Sequence, residues 1–297
     1  MTKRFMLAAQ AVLAVAAVFA TASCSRKEIL FDRSSQTVAF QCPAPFDGKV
    51  VNVWYNIPEG VKGKADVQFV MHGDGRNADT YFKAWKAFSD SLGFVLIVPE
   101  FDKEQFPVSL YHQGNVMAAD SSFNASEDRV YKLIDGIFEY FVDHSEIKAD
   151  RFNIYGHSAG GQFVHRFMML GGSRHVGRAV AANPGWYSFP TDSVAWPYGA
   201  MGLVTADEKK SFYAKDMVVL LGEADTLRYN NNLHISPAAD AQGLNRLERG
   251  KTYFEWCRRD AESLGLDFNW ELEFVPGVGH SNTKMAPAAV KVLYPQQ

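Results

Sequence analysis

The chain has 297 residues, 47% of them hydrophobic and 21% charged, with a formal net charge of -3. That length suits one large domain with a sizeable core rather than several small ones. The charge balance shows neither a basic excess that would point to nucleic acid nor an acidic run that would act as a solvating tail.

The first element is not part of the fold. Lys3 and Arg4 precede an apolar Ala/Val-rich run from Phe5 to Ala20, broken by Gln10, and small residues lead on to Cys24. A basic start, a short apolar stretch and small residues at its end form an export signal. A membrane-spanning helix needs roughly 20 apolar residues, more than this run offers. Residues 1–23 are therefore read as an export signal and residues 24–297 as a single mature domain. Ala22-Ser23-Cys24 resembles the cleavage box of bacterial lipoproteins, in which the Cys is lipidated and becomes the first mature residue. Ser25 follows it rather than a retention Asp, so the resemblance implies an outer-membrane anchor through Cys24, with periplasmic or secreted release as the alternative.

Residues 25–48 read as irregular, with Pro43 and Pro45 marking a loop. Val50 to Tyr55 reads as a strand closed by a turn at Ile57-Pro58-Glu59-Gly60. Val67 to Met71 is an apolar run that stops at His72-Gly73-Asp74-Gly75, the pattern of a strand buried on both faces. Helical spacing from Asn77 to Leu92 ends at Gly93, and Phe94 to Val98 forms the next buried strand, stopped by Pro99. Ser126 is placed to cap a helix whose apolar residues, Val130 to Phe141, fall on one face. Arg151 to Tyr155 is a strand that runs into Gly156-His157-Ser158-Ala159-Gly160-Gly161, followed by a helix through Phe163, Phe167 and Leu170. Strands are expected at Val180 to Ala182, Met217 to Leu221 and Trp270 to Val275, and helices at Thr252 to Leu264 and Ala286 to Leu293. Buried strands alternating with helices imply an α/β fold with a mostly parallel sheet covered on both faces. Residues 184–213, rich in aromatic residues, Gly and Pro, fit this pattern least and read as a lid or insertion over the C-terminal edge of the sheet.

The chemistry centres on Gly156-x-Ser158-x-Gly160. A sharp strand-to-helix turn crowds the positions two before and two after the Ser, and the strand before and helix after supply the context this nucleophile elbow requires. A serine hydroxyl needs a base, and in this arrangement the acid and then the His follow the Ser in the chain. His280 lies in a Gly-rich loop after the last strand and is the expected base; His165, His175 and His234 are the other histidines after Ser158. Asp225, in the turn after Met217 to Leu221, is the expected acid, with Glu223 as close competitor and Asp207 as a distant one. Backbone N–H groups of Ala159 and Asp74 are the expected oxyanion donors, and His72 is read as bracing that loop. Trp186 and Tyr187 either line a substrate pocket or are ordinary core aromatics; Tyr81 and Trp85 read as core; His112 and Asn115 sit in a polar loop within reach of the site. Cys42 and Cys257 either pair in an oxidising compartment or stay as separate buried thiols. No His, Glu or Cys spacing marks a metal site.

The segments VMHGDGRNADTY (70–81), YGHSAGGQF (155–163), LLGEADT (220–226) and VPGVGHS (275–281) together resemble the α/β-hydrolase superfamily, over nearly all of the mature chain. Within it they look most like the esterase branch that includes polyhydroxybutyrate depolymerase-like proteins and feruloyl or acetylxylan esterases. The resemblance implies cofactor-free ester hydrolysis through an acyl-enzyme on Ser158, with a small-molecule or glycan ester as partner. At Asp74 and Arg76 the loop differs from the Cys-Thr-Gln segment of the polymer depolymerases, so the polymer substrate is not carried over with the fold. A serine peptidase of the same fold and a non-catalytic binding protein on this scaffold are the alternatives.

Overall fold

The computed structural model describes residues 28–33, 35–229 and 232–295. The export signal read in 1–23 and the lipidation read at Cys24 fall outside these residues. Among the described residues, no helix is long and apolar enough to cross a membrane.

An eight-stranded sheet organises the molecule, in the order β1 (Thr37–Gln41), β2 (Val50–Asn56), β5 (Val95–Glu100), β4 (Val67–Met71), β7 (Phe152–His157), β8 (Val176–Ala182), β9 (Met217–Gly222), β10 (Trp270–Val275). The pairs β1–β2 and β2–β5 are antiparallel and all others parallel. A separate two-stranded ribbon joins β3 (Gly63–Lys64) to β6 (Ile147–Lys148). Strand β4, apolar but for Gln68, and the apolar β9 are buried along their whole length because helices cover both faces. On one face α1 (Ala78–Leu92) and α8 (Asn282–Leu293) set Tyr81, Phe82, Trp85, Met285 and Ala289 against Val70, Leu96, Val180 and Leu220. On the other, α3 (Lys132–Asp143), α4 (Ala159–Leu170), α5 (Ala206–Tyr213) and α7 (Arg246–Ser263) bury Ile137, Phe163, Phe212 and Tyr253 against Phe69, Ile154, Ala181 and Val219. Two short helices, α2 (Val108–Tyr111) and α6 (Pro237–Asp240), lie in the connections.

The structure departs from the sequence reading in several places. The stretch read as irregular contains β1, an edge strand whose Phe40 is buried. Pro99 does not stop β5 but sits within it, pairing only with Val53 of β2; β4 leaves the ladder at Ile97, so the missing N–H breaks no bond there. Ser126 opens a single 3₁₀ turn and caps nothing, and α3 begins at Lys132. Helix α7 starts at Arg246 rather than Thr252, because Asn245 caps it by accepting from the Glu248 N–H. Helix α8 begins at Asn282 despite Pro287. Residues 184–213 run from the end of β8 through α5, with Tyr187, Trp196, Ala200, Leu203, Phe212 and Tyr213 packed into the core.

Candidate active site

The elbow is a matter of space. Strand β7 ends at His157, Ser158 takes φ 60° and ψ -117°, and α4 starts at Ala159. A Cβ on Gly156 would lie 2.1 Å from the Gly160 carbonyl oxygen, and one on Gly160 would lie 2.2 Å from that of Met71. Helix and strands thus approach at a distance only glycine permits. The strained backbone at Ser158 is held from both sides: its N–H donates to Ala182 O at 3.0 Å, and its carbonyl accepts from Gln162 N at 3.0 Å.

The ends of β9 and β10 bring the other two residues to it. The Ala224 N–H donates to Val278 O at 3.0 Å, and Gly222 leaves no room for a Cβ, which would meet the same oxygen at 2.3 Å. With the two loops pressed together, His280 Nδ1 lies 2.7 Å from Asp225 Oδ2 and His280 Nε2 lies 2.9 Å from Ser158 Oγ. A carboxylate can only accept, so Nδ1 carries the proton and Nε2 faces the serine as an acceptor. The Asp225 side chain is fully buried, while that of His280 keeps 15% exposure. Glu223 points to solvent, and Asp207 sits exposed in the first turn of α5, so neither reaches His280.

The remaining histidines are accounted for by their partners. His165 Nδ1 donates to Gly161 O at 3.0 Å while Nε2 accepts from Ser188 N at 3.1 Å, and burial pushes its pKa well down. His175 immediately precedes β8, at the edge of the sheet opposite Ser158, with Nε2 3.3 Å from Glu139 Oε1. His234 is on the cavity wall, with Nε2 2.9 Å from the Tyr198 hydroxyl.

His72 braces the loop after β4, as expected of it. Its Nδ1 donates to Gly73 O, and its Nε2 accepts from Phe101 N, both at 3.0 Å. Burial lowers its pKa to about 3, so the ring is neutral. Arg76, at φ 55°, donates to Phe101 O and lies 4.4 Å above the Tyr111 ring, whose hydroxyl donates to His72 O at 2.7 Å. These contacts fix the backbone at Gly73-Asp74, where a Cβ on Gly73 would lie 3.7 Å from Ser158 Cβ. The Asp74 N–H donates to no backbone carbonyl among the described residues. Ala159 is the first residue of α4, and a helix leaves its first N–H groups without intrahelical partners. The Asp74 carboxylate lies 3.3 Å from His112 Nε2 and 3.4 Å from Lys103 Nζ.

Two cavities, of about 530 and 470 Å³, meet at Ser158. Ala159, Gln162, Trp186, Tyr198, Leu233 and His234 line the larger; Gly73, Tyr81, His157, His280 and Asn282 line the smaller. Trp186 is therefore a wall residue, whereas Tyr187 turns into the core and stacks on Tyr253 at 4.3 Å, removing it from the pocket. His112 lines the larger cavity; Asn115 does not, and its amide instead donates to Asp128 O. Cys42 and Cys257 are separate, buried, free thiols. Among the described residues no cluster of three His, Cys, Asp or Glu side chains is placed to hold a metal.

Sequence reasoning missed several residues of this surface. Tyr81, read as plain core, puts its hydroxyl 3.3 Å from His157 Nδ1. His157 lies beside His280, with ring centroids 4.6 Å apart and the planes tilted by 35°. Arg246 lines both cavities and stands 3.6 Å from Asp225 Oδ1. The helical spacing at 77–92 marked Tyr81 as apolar-face but gave no sign of its hydroxyl, and Arg246 lay outside the helix as read.

No family model and no curated protein matches the chain. Solved structures do. Poly(aspartic acid) hydrolase-1 from Sphingomonas sp. KT-1 is 34% identical over 87% of this chain and 97% of its own, with a TM-score of 0.83. LpqC, a poly(3-hydroxybutyrate) depolymerase from Bordetella parapertussis, is 29% identical over 88% of this chain and 90% of its own, also at 0.83. An S-formylglutathione hydrolase from Agrobacterium tumefaciens shares the fold at a TM-score of 0.55 and 12% identity, covering 90% of this chain and 97% of its own.

Proposed function

From the premise that the chain belongs to the α/β-hydrolase superfamily, we propose that it is a serine hydrolase that cleaves carboxylic esters through an acyl-enzyme on Ser158. The observation that carries this reading is the unbroken relay from Ser158 Oγ through His280 to Asp225, at 2.9 and 2.7 Å. Ser158 gives its proton to His280 Nε2 as Oγ attacks the ester carbonyl, and Asp225 holds the imidazolium that results. The N–H groups of Ala159 and Asp74 receive the oxyanion. His280 then returns the proton to the departing alcohol, and water repeats the sequence to release the acid. No step calls for a cofactor.

For the substrate we propose acyl or feruloyl groups on extracellular polysaccharides, reached by an exported protein that Cys24 holds at the outer membrane. The motive is the signal-like N-terminus together with a cavity wall of Trp186, Tyr198 and His234, suited to a planar or sugar ring. A second reading takes its support from the 34% identical neighbour, which hydrolyses poly(aspartic acid): the same relay would then attack an amide. The non-catalytic alternative is disfavoured by hydrogen-bond distances at both links of the relay.

The test is fluorophosphonate labelling with the adduct located by mass spectrometry, followed by a panel of acetylated and feruloylated xylan, simple lipid esters, poly(3-hydroxybutyrate) and poly(aspartic acid). An adduct on Ser158 that is lost in His280→Ala, with release of acetate or ferulate from xylan, is the expected result. No adduct on the folded protein would overturn the serine mechanism. Turnover of lipid esters or poly(aspartic acid) without any from xylan would overturn the glycan substrate.

A further inference from the structure

One charged side chain at the site has no task in the mechanism above. Arg246, the first residue of α7, is 2% exposed yet lines both cavities that meet at Ser158. Its Nη1 stands 3.6 Å from Asp225 Oδ1, the oxygen opposite the one that His280 engages at 2.7 Å. The helix is tied to the acid loop by backbone as well, since the Leu247 N–H donates to Asp225 O at 3.3 Å. Asn245 and Glu248 fix that first turn, with Glu248 N donating to Asn245 Oδ1 at 3.0 Å. Arg246 is therefore delivered to Asp225 by a capped, docked helix end rather than by a free loop.

A carboxylate with no solvent exposure is stable in its charged form only when opposing charge and donors surround it. We propose that Arg246 is a positioning residue for the Asp225–His280 pair. Its guanidinium keeps the Asp225 carboxylate ionised and Oδ2 turned to the imidazole, and its charge sets the pH range in which His280 takes the Ser158 proton. The inference rests on the serine-hydrolase reading and adds a fourth residue to its relay.

The other titratable groups packed here do not compete for this role. His157, at the end of β7, is buried and its pKa is driven well below the ordinary value, so it is neutral. Tyr187, from the segment after β8, is pushed well above and is neutral too, as is Tyr81 of α1, whose hydroxyl meets His157. Arg249, one turn along α7, is engaged by Asp240 at 3.1 Å and by the carbonyls of Gly185 and His234. Asp74 faces Lys103 and His112 on the oxyanion loop.

A cation beside the pair opposes its protonation, so removing it makes the pair take up a proton more readily. The test measures the rate of fluorophosphonate labelling of Ser158 against pH in wild type, Arg246→Gln and Arg246→Lys, with thermal unfolding as the control for folding. Arg246→Gln is expected to move the acid limb of the profile to higher pH by about one unit, the scale of a neighbouring charge. Arg246→Lys is expected to restore the limb, since it keeps the charge. A uniform loss of rate in Arg246→Gln with the limb unmoved would mark mere structural support and overturn the proposal. If Arg246→Gln does not fold, the Asp225→Asn/Arg246→Gln double variant decides: recovery of folding shows the charge pairing, and continued failure overturns it. Wild type that never labels refutes the serine-hydrolase reading itself, whereas wild type that labels beside an unshifted variant refutes this inference alone.

Discussion

Gly156→Ala tests whether the elbow works by the contact described for it. The new Cβ would sit 2.1 Å from the Gly160 carbonyl oxygen and 2.9 Å from a Val164 methyl. Ordinary contact is well over 3 Å, so the first turn of α4 must retreat by about 1 Å. That turn has no slack: Gly160 and Gly161 already press on the Met71 and Ala182 carbonyls, at distances where a Cβ would lie within 2.2 and 2.7 Å. Overpacking of this kind costs about 1–3 kcal/mol. Because Ser158 rides on the same turn, a shift of about 1 Å should slow its chemistry by roughly 10²-fold. Gly136→Ala is the matched control. Gly136 lies inside α3, where a Cβ meets only Phe40 Cζ at an ordinary 3.4 Å. There the substitution should gain up to about 1 kcal/mol through helix propensity and leave labelling unchanged. Thermal unfolding and the rate of fluorophosphonate labelling are read on both variants. A Gly156→Ala protein that matches wild type in both would refute the account of the elbow.

Asp225→Asn preserves the shape of the buried side chain but offers His280 Nδ1 a group that can also donate; turnover of a soluble ester should fall by about 10⁴, as for this change in other triads, and a loss under tenfold would remove Asp225 from the relay. Burial holds His72 and His112 at about 3 and about 4 and drives His157 and His165 well down. The unfolded chain takes up these protons below about 6.5 while the native state does not, so stability should fall as pH drops from about 6.5 towards 4, by up to about 1.4 kcal/mol per unit for each fully buried ring. Melting temperatures that stay flat across that window would contradict it. Cys42 and Cys257 should resist alkylation in the native protein, since burial raises the Cys42 thiol to about 11 and the Cys257 thiol well above its usual value; peptide mapping that finds them joined would refute the free-thiol description.

What the sequence made legible follows from how local each signal is. The strand–Gly-x-Ser-x-Gly–helix arrangement is contiguous, and the crowding that demands its glycines comes from the turn itself, so Ser158 was placed without any knowledge of the sheet. His280 and Asp225 were found through strand ends, which apolar runs such as 217–221 mark clearly. The misreadings arise where tertiary context overrides a local cue. Pro99 looked like a strand stop because nothing in the sequence reveals that β4 ends its pairing two residues earlier. Ser126 looked like a cap, yet the chain makes a separate turn before α3. Tyr187 and Trp186 are adjacent and aromatic, but only the path of the chain after β8 decides that Trp186 faces the cavity and Tyr187 the core. Arg246 was invisible for a further reason: its partner is twenty-one positions away, and the helix that carries it has no strong apolar periodicity at its start.

The imidazoles around Ser158 show how burial assigns roles that spacing cannot. His72 and His157 lie closer to the elbow in sequence or sheet position than His280 does, and on residue type alone either qualifies as a base. Both are fully enclosed, and the charged form of an enclosed imidazole with no carboxylate beside it is penalised, so each is confined to the neutral state. His234 is exposed on the cavity wall, and its Nε2 is engaged by the Tyr198 hydroxyl rather than by Ser158. His280 combines partial exposure, a carboxylate at 2.7 Å and the serine at 2.9 Å. Among the rings compared, it is the one that touches both a carboxylate and the serine, which is what the proposed mechanism asks of its base. The same reasoning bears on the role proposed for Arg246: the Asp225 carboxylate is enclosed as fully as those rings, and a guanidinium 3.6 Å from its Oδ1 is enclosed with it.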